Sequence, residues 1–349
     1  MVHKQIVIVG LGLAGSILSW HLLKRNIPFI VIDKSDRFTS SKVAAGIMNP
    51  IVFRYLTLSW KAPAVLDEAV RFYRSFELET SQNVLHDITI ARILSENEPG
   101  KWRSKLLLPG FDQFLEIADA IPHLEKTIDA PYGFGLVKDV AWLDTNSFLN
   151  FIRLELNRLG FLIEDAFMHD SLKIHDQHVL YKDIKADKIV FCEGHTVSEN
   201  PWFNRLPFRP VKGEVLTLHI PELNTIQLLN KDVFILPLGN DLYRVGSTYE
   251  WNFKNDKPTE EAKAYLTDRL SRFLKVSFEV VDHQSGIRPA IADRRPVAGR
   301  HPLLKPLHIF NGLGSKGAML APSLAQKFTN QLVNELIPDK ETDTSRFKF

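Results

Sequence analysis

The strongest constraint on the fold lies between Ile6 and Asp33, where a short apolar run, Ile6 to Val9, breaks into Gly10-Leu11-Gly12-Leu13-Ala14-Gly15. A helical segment follows to about Arg25, and a second apolar run, Phe29 to Ile32, ends on Asp33. Strand, glycine turn, helix, strand and acid in that order make the dinucleotide-binding fingerprint of a βαβ unit. Gly10 permits the tight turn, Gly12 keeps a side chain out of the path of a pyrophosphate, and Gly15 lets the helix press on the strand. Unpaired N–H groups at the helix start then face the phosphates. Asp33 falls 18 residues after Gly15, where a carboxylate can accept hydrogen bonds from both hydroxyls of an adenosine ribose. A bare carboxylate repels a 2′-phosphate, which disfavours NADP. The stretch is apolar enough to be weighed as a signal peptide or membrane anchor, but its glycines, Ser16, Ser19 and His21 interrupt the run. It also leads into an amphipathic periodicity and then a strand, which argues for a folded βαβ unit.

A chain of 349 residues exceeds one ordinary domain and suggests two sharing a core boundary. The net charge of +2, from 43 basic and 41 acidic residues, gives no strong field for nucleic acid or a membrane surface. The single cysteine, Cys192, excludes an internal disulfide and a cysteine-rich metal site, and fits a reducing cytoplasm. No metal is expected, and no other segment reads as a transmembrane span.

After Asp33 and Lys34, the small residues around Ser40-Ser41 and Ala44-Ala45-Gly46-Ile47 can bring backbone and hydroxyls close to a flat cofactor; a plain surface loop is the other reading. Ala64 to Glu77 reads as a helix with Val65, Ala69, Phe72 and Phe76 on its core face. Ile88 to Leu94 reads as a strand. A helix capped by Asp144 or Thr145 turns Phe148, Ile152, Leu156 and Leu159 one way and ends at Gly160. Lys188 to Gly194 reads as a buried strand entering a glycine turn, with Cys192 a packed small residue rather than a reactive thiol. Glu214 to Ile220, Asp232 to Pro237 and Tyr243 to Thr248 are strand-like, a helix follows Thr259, and Phe278 to Asp282 is a further strand. An antiparallel sheet with a covering helix, placed after an α/β opening, suggests a separate substrate domain.

The last third holds two further motifs. Gly286-Ile287-Arg288-Pro289 begins a loop that runs through Asp293 to Gly299. Leu307 to Phe310 then leads into Asn311-Gly312-Leu313-Gly314-Ser315-Lys316-Gly317 and a helix with Leu320, Leu324, Phe328, Leu332 and Leu336 on one face. This second GxGxxG lacks a following strand and acid, because a polar tail from Asp339 to Phe349 comes next. Its better use is to aim a helix start at a charge on a cofactor already bound.

With these pieces in order, the chain resembles the D-amino-acid oxidase (DAO) family of FAD-dependent oxidoreductases over nearly its full length, above all glycine oxidase and the FAD domain of a bifunctional tRNA 5-methylaminomethyl-2-thiouridine enzyme. The residues that carry the resemblance are Gly10, Gly12, Gly15 and Asp33, Ser40-Ser41 with Ala44-Ala45-Gly46, Pro210 to Glu214, Gly286 to Pro289 with Asp293, Pro296 and Gly299, and Gly312 to Gly317 with Ala321-Pro322. The resemblance implies an α/β fold: a Rossmann-type FAD-binding domain from residues 1–84, 141–205 and 285–349, and a mixed α+β substrate domain from 85–140 and 206–284 carrying the antiparallel sheet. It implies noncovalent FAD, lined by Gly10, Gly12, Leu13, Ala14, Gly15, Asp33, Lys34, Ser40, Ser41, Ala45, Gly46, Ile47, Gly194, Gly312, Gly314, Ser315, Lys316 and Gly317.

It also implies that Arg288 grips a substrate carboxylate, which suits a planar, permanently charged fork. A structural pairing with an acid such as Asp293 is the competing use of that arginine. At the positions where glycine oxidase has an aromatic hydroxyl and a methionine stand Phe234 and Tyr249, which are expected to shape the pocket, and Lys316 to stabilise reduced flavin. The implied reaction is oxidation of the C–N bond of a small amino acid or secondary amine, with oxygen as acceptor. The alternatives are action on a carboxymethylaminomethyl group of tRNA, a dehydrogenase serving a quinone or carrier, and a noncatalytic flavin-binding subunit. No residue in a motif offers itself as a general base, and His283 reads as structural.

Overall fold

The computed structural model describes residues 2–34 and 39–348, so the final residue of the polar tail, Phe349, lies outside the described residues. The chain divides into two compact units, residues 1–44, 145–211 and 287–349, and residues 45–144 and 212–286.

The first unit is built on a parallel sheet. Strand β1 (Val2–Val9) lies at its centre, with β2 (Phe29–Ile32) on one side and Ile184–Phe191 on the other. Leu162–Ile163 continues the sheet beyond β2, and Leu307–Asn311 continues it beyond Ile184–Phe191 in register with Val190 opposite His308. Val297–Arg300 closes that edge as an antiparallel strand, and the hairpin Leu172–Ile174 with Val179–Tyr181 pairs with the N-terminal half of Ile184–Phe191. Ile6 to Val9 and all of β2 are buried, as strands covered on both faces must be.

Helix α1 (Leu13–Lys24) follows β1 directly. It buries nine of its twelve residues, so it is a core helix rather than the amphipathic one the sequence pattern suggests. The cause is tertiary. Trp20 meets Phe151 of the helix Thr145–Arg158 edge-on at 6.4 Å, and Arg25 donates to Asn330 of the C-terminal helix Gly317–Asn334 at 2.7 Å. Those two helices end earlier than their apolar stripes suggest, because Leu159 and Leu336 lie beyond their last turns and are exposed.

The second unit carries a nine-stranded sheet whose main path runs Glu279–Arg288, Val211–His219, Leu242–Gly246, Phe234–Gly239, Leu228–Asn230, Leu85–Ile93, Phe134–Leu143 and Ile47–Met48. Antiparallel pairs such as Thr217 with Arg244, and Arg244 with Leu236, set its middle, and Leu229 beside Ala91 marks one parallel pairing. Helix Glu260–Ser271 begins at Thr259, whose hydroxyl accepts from Ala262 N at 3.2 Å. Its Leu266 and Leu270, with Phe273, join Leu216, Leu218, Ile235 and Val245 in one core. In helix Ala64–Thr80, Tyr73 is buried and Phe72 packs edge-on to it at 5.1 Å, so the inward stripe is broader than Val65, Ala69, Phe72 and Phe76.

Residues 45–84 belong to this second unit, although the sequence groups them with the first. Ile47 and Met48 pair with Trp142 and Ala141, which ties that segment to Phe134–Leu143. Conversely, residues 206–211 belong to the first unit, where Phe208 bridges to Ile291 and Ala292 N donates to Pro207 O at 2.9 Å. The expected strand Phe278 to Asp282 is longer, Glu279–Arg288, and places Arg288 at a strand end rather than in a loop.

Candidate functional site

The glycine turn after β1 is forced by contact. Gly10 has φ +98°, and a Cβ there would stand 2.6 Å from the Cys192 carbonyl oxygen. A Cβ on Gly15 would stand 1.9 Å from the Gly10 carbonyl oxygen, so no other residue lets α1 lie this close to β1. The N-cap of α1 is Gly12, which carries no side chain of its own to cap the helix start. Two backbone donors are already shared with side chains: Leu11 N donates to Asp33 Oδ1 at 2.9 Å and Leu13 N to Ser41 Oγ at 3.1 Å. Ser40 and Ser41 open the single turn Ser40–Val43. Cys192 is buried behind the turn with its thiol pushed well up by burial, so it packs and does not react.

Asp33 is not bare. Its Oδ2 is held by Arg153 Nη2, and Arg153 Nη1 reaches Glu164 at 3.0 Å. Burial pushes the Asp33 carboxyl up, and Arg153 and the Leu11 N–H oppose that push. Arg153, 120 residues away in sequence, was invisible to spacing arguments. It weakens the case against a 2′-phosphate that rests on an unpaired acid. Lys34 is exposed beside it.

At the other end of the same sheet edge, Gly194 (φ +62°) follows Ile184–Phe191, and its carbonyl accepts from Asn311 Nδ2 at 2.9 Å. Asn311 Oδ1 accepts from Gly312 N at 2.8 Å, so one side chain joins the two glycine loops. Glu193 is fixed by His169 and Asn200, each at 2.8 Å, and that contact raises the His169 pKa. A Cβ on Gly194 or Gly314 would meet nothing within 4 Å, which leaves room beside both turns. Gly314, Ser315 and Lys316 form a short 3-10 turn that runs into the C-terminal helix at Gly317. A Cβ on Gly317 would stand 3.4 Å from Leu13 Cδ1, so the second glycine motif abuts the first. Burial pushes the Lys316 amine down to about 8.

Arg288 is half-buried between buried Ile287 and Pro289. Asp293 accepts from Arg346 Nε at 2.9 Å and from Arg295 N at 3.0 Å.

In the second unit, Gly46 (φ +69°) lies so close to the Leu143 carbonyl that a Cβ would stand 1.9 Å from it, so its need for glycine comes from packing on that strand. Ala45 precedes it and Ile47 pairs with Trp142. Phe234 opens its strand opposite Gly246, and a Cβ there would meet the Phe234 ring at 3.1 Å. Tyr249 follows the strand Leu242–Gly246 and is 61% exposed.

The Pro210 to Glu214 motif was visible in the sequence, but the buried polar cluster around Glu214 was not. Glu214 accepts from Thr259 N at 2.9 Å and Thr259 Oγ1 at 3.1 Å, meets Lys212 Nζ at 2.9 Å, and lies 2.8 Å from His283 Nε2. Lys212 also donates to Lys257 O at 2.6 Å. The cluster fastens residues 250–259 to the sheet, which gives the Lys212-Gly213-Glu214 motif a structural role and makes His283 part of it.

The FAD-dependent oxidoreductase (DAO) family model matches residues 5–331. The chain belongs to the DAO family of FAD-dependent oxidoreductases. It is 21% identical over 322 residues to the tRNA 5-methylaminomethyl-2-thiouridine biosynthesis bifunctional protein of Legionella pneumophila (strain Corby), covering 86% of this chain and 46% of that protein. The chain thus spans about half the length of the curated relatives it matches. Its fold is similar to iminodiacetate oxidase from Chelativorans sp. BNC1, with a TM-score of 0.80, 18% identity and coverage of 97% and 98% of the two chains. It is equally similar to glycine oxidase from Bacillus cereus ATCC 14579, with a TM-score of 0.81, 17% identity and 96% of each chain. No helix among the described residues is long and apolar enough to cross a membrane.

The donor set fits FAD: a helix start behind a glycine turn, its first N–H held by the Ser41 hydroxyl, an acid at the end of β2, and two glycine turns with open space at Gly194 and Gly314.

Proposed function

We propose that the protein oxidises the C–N bond of a small amino acid or secondary amine that carries a carboxylate. When bound, FAD supplies a two-electron acceptor for the C–H bond beside the amine nitrogen, with oxygen as the final acceptor. In this reading Arg288 holds the substrate carboxylate through paired hydrogen bonds and so fixes the α-carbon. Phe234 and Tyr249 shape the apolar side of the pocket. Lys316, carried into the helix start at Gly317, presents positive charge where reduced flavin is anionic, and FAD is held noncovalently because Cys192 is packed away behind Gly10.

The observation that supports the reading is the family match over residues 5–331, with Arg288 half-buried at the end of the strand Glu279–Arg288. The substrates named for two fold relatives, iminodiacetate oxidase and glycine oxidase, have the matching chemistry of an amine next to a carboxylate. The test is anaerobic addition of glycine, sarcosine, iminodiacetate, proline and D-amino acids to the yellow holoenzyme. Bleaching by one of them, lost in Arg288→Met while FAD stays bound, is expected. Bleaching that survives Arg288→Met overturns the role of the arginine.

A second reading, oxidation of a carboxymethylaminomethyl group on tRNA, is favoured by the 21% identity to the tRNA-modifying relative over 86% of the chain. Bleaching by the modified nucleoside, with tRNA binding that weakens steeply as salt rises, selects it.

A further inference from the structure

The polar composition of residues 339–348 suggests a solvated tail, yet Thr342, Asp343 and Thr344 are buried. Ala298 N donates to Thr342 O at 2.8 Å, and a Cβ on Gly299 would stand 2.6 Å from Asp343 Oδ2 and 2.7 Å from Thr344 N. The tail is therefore strapped along the edge strand Val297–Arg300.

Its guanidinium does more than lie there. The Arg346 side chain is 13% exposed and donates four ways: Nε to Asp293 Oδ2 at 2.9 Å, Nη2 to Arg295 O at 2.9 Å and Pro296 O at 2.9 Å, and Nη1 to Asp343 O at 3.1 Å. The carbonyls it grips belong to the residues behind Gly312, where a Cβ would stand 3.5 Å from Pro296 Cα and 3.4 Å from Val297 N. Val297 in turn pairs with Asn311, the residue that ties Gly194 O to Gly312 N.

We propose that Arg346 is a positioning residue for the cofactor: by holding the Arg295 and Pro296 carbonyls, it fixes the floor beneath Gly312 and so the course of Gly312 to Gly317. A guanidinium suits the task because its planar fork satisfies divergent acceptors that a lysine cannot reach together. The contact to Asp293 adds a second consequence, since it pins the loop that follows Arg288. This inference rests on the assignment of Gly312 to Gly317 to the flavin.

The experiment compares wild type, Arg346→Met, Arg346→Lys and Asp293→Asn as holoenzymes, with Gly314→Val as a probe of the loop itself. Far-ultraviolet circular dichroism checks the fold, and the readouts are FAD dissociation constant, flavin visible spectrum and flavin reduction potential. A strap that only stabilises would lower the melting temperature and leave the flavin bands in place. Arg346→Met is expected to weaken FAD about tenfold, about 1.4 kcal/mol, and to shift the flavin bands. Arg346→Lys should recover part of both. If Arg346→Met does not fold, Asp293→Asn, which weakens one arm of the clamp, should show the same shifts on a smaller scale. Unchanged flavin in a folded variant overturns the inference. Loss of FAD in Gly314→Val with no change in the Arg346 and Asp293 variants leaves the loop assignment standing and removes the strap alone; retention of native flavin in Gly314→Val removes the assignment beneath it.

Discussion

Replacing Arg153 by Met keeps most of the apolar stem and removes the guanidinium that joins Asp33 to Glu164. The Arg153 and Asp33 side chains are 19% and 16% exposed, so the pair is largely but not wholly out of water. Deleting one partner of a fully buried pair costs about 3–5 kcal/mol. The residual exposure, and the freedom of Asp33 to take up a proton, bring the expected loss of stability to about 2 kcal/mol. The effect on cofactor binding has a distinct signature. Burial already pushes the Asp33 carboxyl up, and Arg153 leads the groups that oppose it. Without Arg153 the carboxyl is protonated over a wider pH range, and the ribose loses an ionised acceptor. FAD affinity should begin to fall at a higher pH in Arg153→Met than in wild type, by up to about tenfold, the difference between a charge-assisted and a neutral hydrogen bond, and recover as pH rises. Fluorescence titration of apoprotein with FAD between pH 6 and 9 measures both. Asp33→Asn should lose affinity without regaining it at high pH, and adding Arg153→Met to it should cost little more. A pH-independent FAD affinity in Arg153→Met, or strictly additive losses in the double variant, refutes the idea that Arg153 acts through the charge of Asp33.

Three other outcomes follow from the geometry. Gly15→Ala drives a methyl to 1.9 Å from the Gly10 carbonyl oxygen and must push α1 off β1, so purified protein should lose its yellow colour; retained FAD at wild-type affinity would contradict the packing. Lys316, with its amine pushed down to about 8, carries its charge below that pH and loses it above; the flavin reduction potential should drop further through pH 8 in wild type than in Lys316→Met, and parallel titrations would remove the lysine from the flavin's surroundings. His21 and His308 are held neutral by burial, with pKa values lowered to about 4 and about 3. Because the unfolded chain protonates these groups near 6.5, stability should fall as pH drops below that value, by about 1.4 kcal/mol per pH unit for each group until its folded pKa is reached. His308→Leu should flatten that slope in melting curves, and an unchanged slope would show that His308 already protonates in the folded state.

The first glycine turn was legible because its requirements are local: Gly10, Gly12 and Gly15 serve one turn, and Asp33 closes the next strand. Gly312 to Gly317 was legible as a helix start for the same reason. Pairings decided elsewhere were not. Arg153 reaches Asp33 across 120 positions, and nothing in the helix pattern of Thr145–Arg158 marks it. The strand Glu279–Arg288 runs through Gly286, which reads locally as a turn; its place beside Val211–His219 in the sheet overrides that preference. The resemblance groups residues 45–84 and 141–144 with the nucleotide-binding segment, whereas their backbone contacts, such as Ile47 paired with Trp142, put both in the second unit. Polar composition hid the strap, since Thr342 to Thr344 are buried by hydrogen bonding to a strand rather than by apolar side chains.

The approach of Gly317 to Leu13 has a consequence for synthesis. The cradle around α1 is closed by a residue made some three hundred positions later, and the sheet beneath it is extended by Leu307–Asn311 only after Ile184–Phe191 is in place. A nascent chain therefore displays its first glycine turn, with only its near neighbours Asp33 and Ser41 against it, long before Gly317 can close over it, and long-range closure of this kind is slow. The two glycine turns can meet only once the chain has been made as far as Gly317.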